Sequence, residues 1–500
     1  MSFVIAAAEV AGSRWPFVVL LVSVAFIIFS ITKLRLHAFI ALIFAAFLAG
    51  FLSEPFKPAV LEKLSKGTRA AVEGNQWLAT VELTMAEFGN TAAAISISIG
   101  LAAIIGMALM ESGAADKVVR RFLGFFGEKR AGAALLWSTY VLSIPIFFDT
   151  MFMLMVPLAR ALRLRTGKDY TLYLLCICCG GVVTHSLTVP HPGPLAMVDN
   201  LKVDVGLSLI WGILAGIVPC LGGYWFATWL NKRVAIPLRE TRGAALQELE
   251  GISKKAESEL PSFFWSILPV VLPIFLISLG SLFVVLKGSF PSAVAALGGE
   301  ATFAAIHRWV SFFGNKNIAL FIGAGLALWV LARQRGFSFH QIEDLIGPPI
   351  ETAGVIILIT SAGGAFGLML RNAGVGDAIK AAASGYAVNL VLLSWLVAAV
   401  IRIAQGSATV AMLTTSAMVF PMMDPAAGAA LPFHPMYIYL AIGFGAFTCS
   451  WMNDSGFWVV SRLSGMTEAE TLKTWTPMLT VVAVFGLLMT WILSKLVPLV

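Results

Sequence analysis

The chain has 500 residues, of which 59% are hydrophobic and 12% charged, and its formal net charge is +7. Soluble domains carry about 25% charged residues, so this composition excludes an ordinary globular fold and points to a polytopic membrane protein. In that setting the surplus of Lys and Arg marks cytoplasmic loops, so nucleic acid is excluded as a partner and the lipid bilayer is the expected one.

The first apolar run, 16–31, has too few basic residues before it and no small-residue cleavage site, and is read as a retained span rather than a signal peptide. Further runs able to cross a hydrocarbon core of about 30 Å occupy 37–53, 91–110, 205–230, 263–286, 317–332, 350–370 and 475–494. Two more, 170–200 and 434–461, are interrupted by polar and helix-breaking residues and are predicted to be broken spans. The runs 131–162 and 384–421 are too long for one crossing and carry Pro-Ile-Phe-Phe-Asp-Thr and Gln-Gly-Ser-Ala-Thr at their middles, which predicts re-entrant hairpins. The stretches 54–90 and 288–316 are expected to be outer-side loops. The polar stretch 231–262 is expected to be a cytoplasmic linker between two transmembrane units, 1–230 and 263–500. Cys176, Cys178 and Cys179 have no matching pair elsewhere and read as small helix-packing residues rather than a metal site or disulfide framework.

The two units match each other. "GMALMESGAAD" from Gly106 pairs with "GLMLRNAGVGD" from Gly367 at an offset of 261 residues, aligning Gly113 with Gly374 and Asp116 with Asp377. The same offset brings one hairpin tip (Asp149, Thr150) near the other (Ser407, Thr409), and Pro190–Gly193 within two residues of Asn453–Gly456. Each half has five crossings, an odd number, so the second copy is turned over. The expected fold is therefore an all-α polytopic membrane protein, an inverted repeat of two five-span halves, each with one re-entrant hairpin and one broken transmembrane helix. With the N-terminus outside, the larger share of Lys and Arg falls on the cytoplasmic side, including Lys117, Arg120, Arg121, Lys129 and Arg130 before the first hairpin and Arg160, Arg163, Arg165 and Lys168 after it.

Irregular backbone at membrane depth is tolerated only where protein or a water-filled cavity satisfies its freed polar groups. "THSLTVPHPGP", Thr184–Pro194, is such a place, because Pro190, Pro192 and Pro194 cannot all sit in a regular helix. Gly193 permits a turn or close approach, and the break exposes amides that favour an anion. "NDSGFW", Asn453–Trp458, stands at the symmetry-related position, and the hairpin tips add Asp149, Thr150, Gln405, Ser407 and Thr409. Ionisable residues in such segments are costly and are functional candidates by default, which selects Asp149, His185, His191, Arg402 and Asp454. Each also has a structural alternative. His185 can bond a freed carbonyl, His191 can fix loop shape, Asp149 and Asp454 can cap helices, and Arg402 can neutralise an aspartate. Ser407, Thr409 and Thr150 can serve helix packing.

These motifs, "FFD" (Phe147–Asp149), "THSLTVPHPGP", "RIAQGSATVA" (Arg402–Ala411) and "NDSGFW", taken in order, resemble the gluconate:proton symporter (GntP) family of bacterial inner-membrane permeases, within the broad ion-transporter superfamily. The chain departs from the family pattern in having Val189 before Pro190 and Ser455 after Asn-Asp, where the family has proline, and in Trp451 and Gln405. The resemblance implies proton-driven uptake of gluconate or a related sugar acid or small hydroxy acid, no cofactor, a homodimer, and an elevator-like transport part. It places Thr184, His185, His191, Gly193, Arg402, Gln405, Ser407, Thr409 and Asn453 at the substrate. Histidine titrates nearest neutral pH, so His185 is the first expected proton carrier, followed by Asp149 and Asp454. The rival readings are sodium coupling at the same site, an intramembrane metalloenzyme built on His185, His191 and an aspartate, for which no HExxH motif is present, and a passive channel.

Overall fold

The computed structural model describes residues 14–62, 64–239, 257–289, 299–375, 378, 389–423, 431–452 and 454–499, all helical or irregular. Asn453, Asp377, the linker residues 240–256 and the hairpin residues 384–388 lie outside them. The first half contains α1 (Trp15–Thr32), α2 (Ala38–Leu52), α3 (Gln76–Glu111), α4 (Ala114–Phe126), α5 (Ala131–Leu142), α6 (Phe148–Thr166), α7 (Tyr170–Leu187), α8 (Pro192–Leu201) and α9 (Val205–Asn231). The second contains α10 (Phe263–Ser289), α11 (Gly299–Phe313), α12 (Lys316–Arg335), α13 (Phe339–Asn372), α14 (Leu390–Gln405), α15 (Ala408–Val419), α16 (Met436–Gly445), α17 (Ser455–Ser464) and α18 (Glu468–Leu496). Shifted by 261 residues, α2 falls at 299–313, on α11, α3 at 337–372, on α13, and α8 at 453–462, on α17.

Seven stretches of the described chain are long and apolar enough to cross a membrane. Leu21, Trp77, Trp225 and Phe321 are each more than 60% exposed on spans or their ends. Such surfaces are untenable in water and natural against lipid, where each backbone polar group is satisfied inside its own helix. The helices at the interruptions are short. α8, α16 and α17 have 10 residues each, and α5 and α15 have 12. At about 1.5 Å per residue these reach only about half to two thirds of the way across, so their ends meet inside the protein.

Four segments outside the expected spans, two of them in the expected outer loops, contain helix. Residues 76–90 are the first turns of α3, because Glu82 and Glu87 interrupt the hydropathy but suit a helix, and Asn75 caps the Leu78 amide at 3.1 Å. α13 starts at Phe339 rather than 350, set by a capping box between Ser338 and Gln341. α11 occupies 299–313 within an expected outer loop. α4 hides Ala114, Ala115, Val118 and Val119 on one face while Phe125 is 83% exposed, an amphipathic pattern too short to register as a span.

α3 and α13 run antiparallel at close range: a Cβ on Gly364 would lie 2.3 Å from Thr91 Oγ1, and one on Gly100 would lie 3.6 Å from Ile350. The centre belongs to α7 and α16, whose side chains are almost entirely buried. α7 meets α5 where a Cβ on Gly180 would come within 2.4 Å of the Leu136 carbonyl, a backbone atom that cannot swing aside. We expect Gly180→Ala to destabilise the protein by about 1–3 kcal/mol, read as a lower thermal midpoint in detergent, with Gly325→Ala, where nothing lies within 4 Å, as the neutral control. Cys176, Cys178, Cys179 and Cys220 are buried and free. At one end of the molecule, Lys117 pairs with Glu257 at 2.7 Å, Arg239 grips both oxygens of Glu470, and Arg335 bonds the Glu111 carbonyl. The Lys117 ammonium holds the Glu257 carboxyl below its ordinary range.

Candidate substrate site

The bonds freed by the first break are recovered within the protein. Tyr439 donates to the Leu187 carbonyl at 2.8 Å, Thr188 to the Thr184 carbonyl at 2.7 Å, and Thr184 to the Tyr140 carbonyl at 2.9 Å. His191 Nε2 lies 2.6 Å from the Ser143 carbonyl, so that nitrogen carries its proton and ties the break to the tip of the α5–α6 hairpin. At the second break, Trp451 and Trp458 donate their indole N–H groups to the Ile403 and Met452 carbonyls, each at 2.8 Å.

Between these interruptions lies a cavity of about 380 Å³, within the range of small-molecule sites. Four helix N-termini reach it: α6 at Phe147–Asp149, α8 at Pro192, α15 at Ser407–Thr409 and α17 at Asp454–Gly456. Their partial positive charges make an enclosure suited to an anion. The four ends differ. Ser407 caps the Val410 amide of α15, and Asp454 caps the Gly456 amide of α17, whereas neither α6 nor α8 has a side-chain cap. α8 nevertheless has little to give an anion, because Pro192 and Pro194 lack N–H groups and only Gly193 supplies an amide there. α6 leaves its first-turn amides, Phe148, Asp149 and Thr150, without a side-chain acceptor.

Arg402 and Asp454 form a buried ion pair across the cavity wall, with side chains 4% and 10% exposed. Arg402 also donates to the Gly406 carbonyl, yet its Nε, fully enclosed, has no protein acceptor. Asp454 accepts from Arg402, Ser450 and the Gly456 amide. Asp149 is exposed to the cavity and has no hydrogen bond or ion pair to a described side chain. His185 lines the cavity, its ring centroid 4.3 Å from that of His191, and its Nδ1 is unpartnered.

A family model described as GntP family permease matches residues 15–497. The chain belongs to this family. The permease is thus a transporter and not an enzyme. It is 30% identical over 477 residues to a gluconate permease of Pseudomonas aeruginosa, covering 95% of this chain and 96% of that one. It is 29% identical to the Gnt-II system L-idonate transporter of Escherichia coli, covering 95% and 98%, and 29% identical to the low-affinity gluconate transporter of the same organism, covering 93% and 95%. The fold is similar to that of Neisseria gonorrhoeae MtrF, at TM-score 0.60 and 14% identity, with 93% of this chain and 96% of that chain covered. It also resembles the Alcanivorax borkumensis YdaH transporter, at TM-score 0.58 and 13% identity, covering 92% and 98%.

Of the residues singled out from the sequence, the permease brings Asp149, His185, Arg402, Ser407, Thr409 and Asp454 to one cavity. Thr184, His191 and Gly193 stand behind its wall. Thr184 and His191 are engaged by backbone carbonyls, and Gly193 faces Met412, whose Cε would lie 2.2 Å from an added Cβ. Asn453 and the Gln405 side chain lie outside the described residues. Phe147 and Phe148 of the FFD motif line the cavity, whereas sequence reasoning missed the rest of the apolar wall, Ile356, Phe447, Trp475 and Leu479, and the supporting Ser450. Ile356 and Trp475 sit in ordinary apolar spans with no motif to mark them.

Proposed function

We propose that this permease carries gluconate or a related sugar acid or small hydroxy acid into the cell across the bacterial inner membrane, together with a proton. The observation that carries this reading is the set of helix N-termini around one cavity that also holds an arginine with unused donors and an unpaired aspartate. The substrate carboxylate is received by the α6 amides beside the Arg402 guanidinium, and its hydroxyls by Ser407, Thr409 and His185. The names of relatives covering nearly the whole chain support the choice of gluconate.

Charge supports the proton. Asp454 already offsets Arg402, so a substrate anion adds to the negative charge of Asp149 in a confined site of low polarity, where unpaired like charges are costly. Asp149 also occupies the same positive helix end that the substrate needs. Protonating Asp149 removes one anion from the end of α6, which makes Asp149 rather than His185 the carrier in this reading. His185 then serves as a neutral hydrogen-bonding group. The recurrence of helix boundaries at 261 residues supports an inverted repeat, and the gathering of basic residues at the end holding Lys117, Arg239 and Arg335 supports an outside N-terminus. In this reading 231–262 is the cytoplasmic linker and the working form is a homodimer.

The test is labelled gluconate uptake into proteoliposomes with the interior alkaline, in sodium-free buffer. Accumulation against the gluconate gradient that collapses with a protonophore is the expected result. Uptake that requires sodium overturns proton coupling, and absence of gluconate uptake with intact uptake of a shorter hydroxy acid moves the substrate.

A further inference from the structure

Behind Asp454 runs a chain of hydrogen bonds whose direction is fixed at one end. Trp475 Nε1 lies 2.7 Å from Ser450 Oγ. An indole N–H can only donate, so Ser450 accepts there, and its own proton is left for Asp454 Oδ2. Oδ2 also receives Arg402 Nη2, and Oδ1 receives the Gly456 amide at 3.0 Å. Thr476 holds the same turn by donating to the Ser450 carbonyl at 2.5 Å. Among the described residues, every hydrogen-bond partner of the Asp454 carboxylate is therefore a donor. Arg402 and the Gly456 amide have no lone pair to offer a protonated carboxyl, and Ser450 could accept from one only by turning its own hydroxyl away.

We propose that Ser450 and Trp475 are positioning residues that keep Asp454 a permanent carboxylate, so that it serves as the fixed counterion of Arg402 and takes no part in proton carriage. Confinement of the carried proton to Asp149 rests on the proton-coupled reading above, whereas the state of Asp454 does not. The charged and titratable groups facing Asp454 are Arg402 from α14, Asp149 from α6 and His185 from α7, with His191 behind His185. α18 contributes only Trp475 and Leu479 to the cavity. With three donors on its oxygens, Asp454 holds the Arg402 guanidinium in place at the cavity wall.

Removing Ser450 deletes one donor to a charged group. Initial uptake rates are measured against pH for the wild type, Ser450→Ala, Ser450→Thr and Trp475→Phe. Ser450→Ala should lose activity on the acid side, its limb displaced toward neutral by about one to two units, through a raised KM with turnover retained. Trp475→Phe should move the limb in the same direction by less, and Ser450→Thr should restore the wild-type profile. An unchanged profile in Ser450→Ala, or a loss equal at all pH and not rescued by threonine, overturns the proposal. A second arm needs no transport: acid-minus-neutral infrared difference spectra of the full-length protein in lipid. Ser450→Ala should gain a protonated-carboxyl band that disappears when Asp454→Asn is added. Absence of that band overturns the proposal even if gluconate uptake behaves as expected. Its presence upholds the assignment of Asp454 even if uptake proves not to be proton-coupled.

Discussion

If the proton-coupled proposal holds, the permease with asparagine in place of Asp149 should exchange labelled gluconate for unlabelled gluconate but no longer concentrate it, and the inside-to-outside ratio should settle at unity under a pH gradient. Asparagine has the shape of a protonated aspartate and cannot lose the proton, so the site stays receptive to the anion while the driving ion no longer matters. Exchange needs only the loaded carrier to move, and net accumulation needs the proton to be released inside. Counterflow and gradient-driven uptake in the same vesicles separate the two. Asp149→Glu, which keeps a titratable group at the same helix end, should retain part of the accumulation. An Asp149→Asn protein that still concentrates gluconate in response to the pH gradient would remove Asp149 from the coupling step.

Loss of Arg402 should be costly in two distinguishable ways. Arg402→Leu leaves Asp454 as a buried, unpaired anion, which is expected to destabilise the fold by about 3–5 kcal/mol. In the proposed site it also removes the positive charge beside the substrate carboxylate. Arg402→Leu combined with Asp454→Asn should recover most of the stability, because asparagine is neutral and its side-chain oxygen still caps the α17 amide at Gly456. Neither variant should show a gluconate-dependent rise in thermal midpoint, whereas the wild type should. If the single variant unfolds at the wild-type midpoint, the ion pair contributes nothing. If the double variant still responds to gluconate, Arg402 is not the carboxylate's anchor.

Proline and glycine density made the breaks readable. Where broken spans were expected, at 170–200 and 434–461, the chain has the helix pairs α7 and α8, over 170–201, and α16 and α17, over 436–464. Charged and polar residues inside apolar runs marked Asp149, Arg402, Ser407 and Asp454, and the structure gathers them because all four sit at helix ends that meet at one cavity. The rest was hidden for identifiable reasons. Helix that is not uniformly apolar escapes a search for spans, as in α4, α11 and the first turns of α3. A wall residue such as Phe447 or Trp475 looks like any lipid-facing or core aromatic until its neighbours are known. Counting prolines located the break at Thr184–Pro194 but overstated its supply of amides, since the same Pro192 and Pro194 that stop the helix are the residues without an N–H to give.

That difference among the four helix ends separates the halves of the molecule in time as well as in chemistry. Ser407 and Asp454 close their own helices from within the chain, so the first turns of α15 and α17 are expected to keep these hydrogen bonds when the cavity is empty. The α6 end has no such internal partner and relies on water or cargo. Backbone amide hydrogen exchange at Phe148, Asp149 and Thr150 should therefore slow when substrate is present and quicken when it leaves, while the first turns of α15 and α17 exchange at a nearly constant rate. One half of the chain keeps the site's shape between journeys, and the other registers whether anyone is aboard.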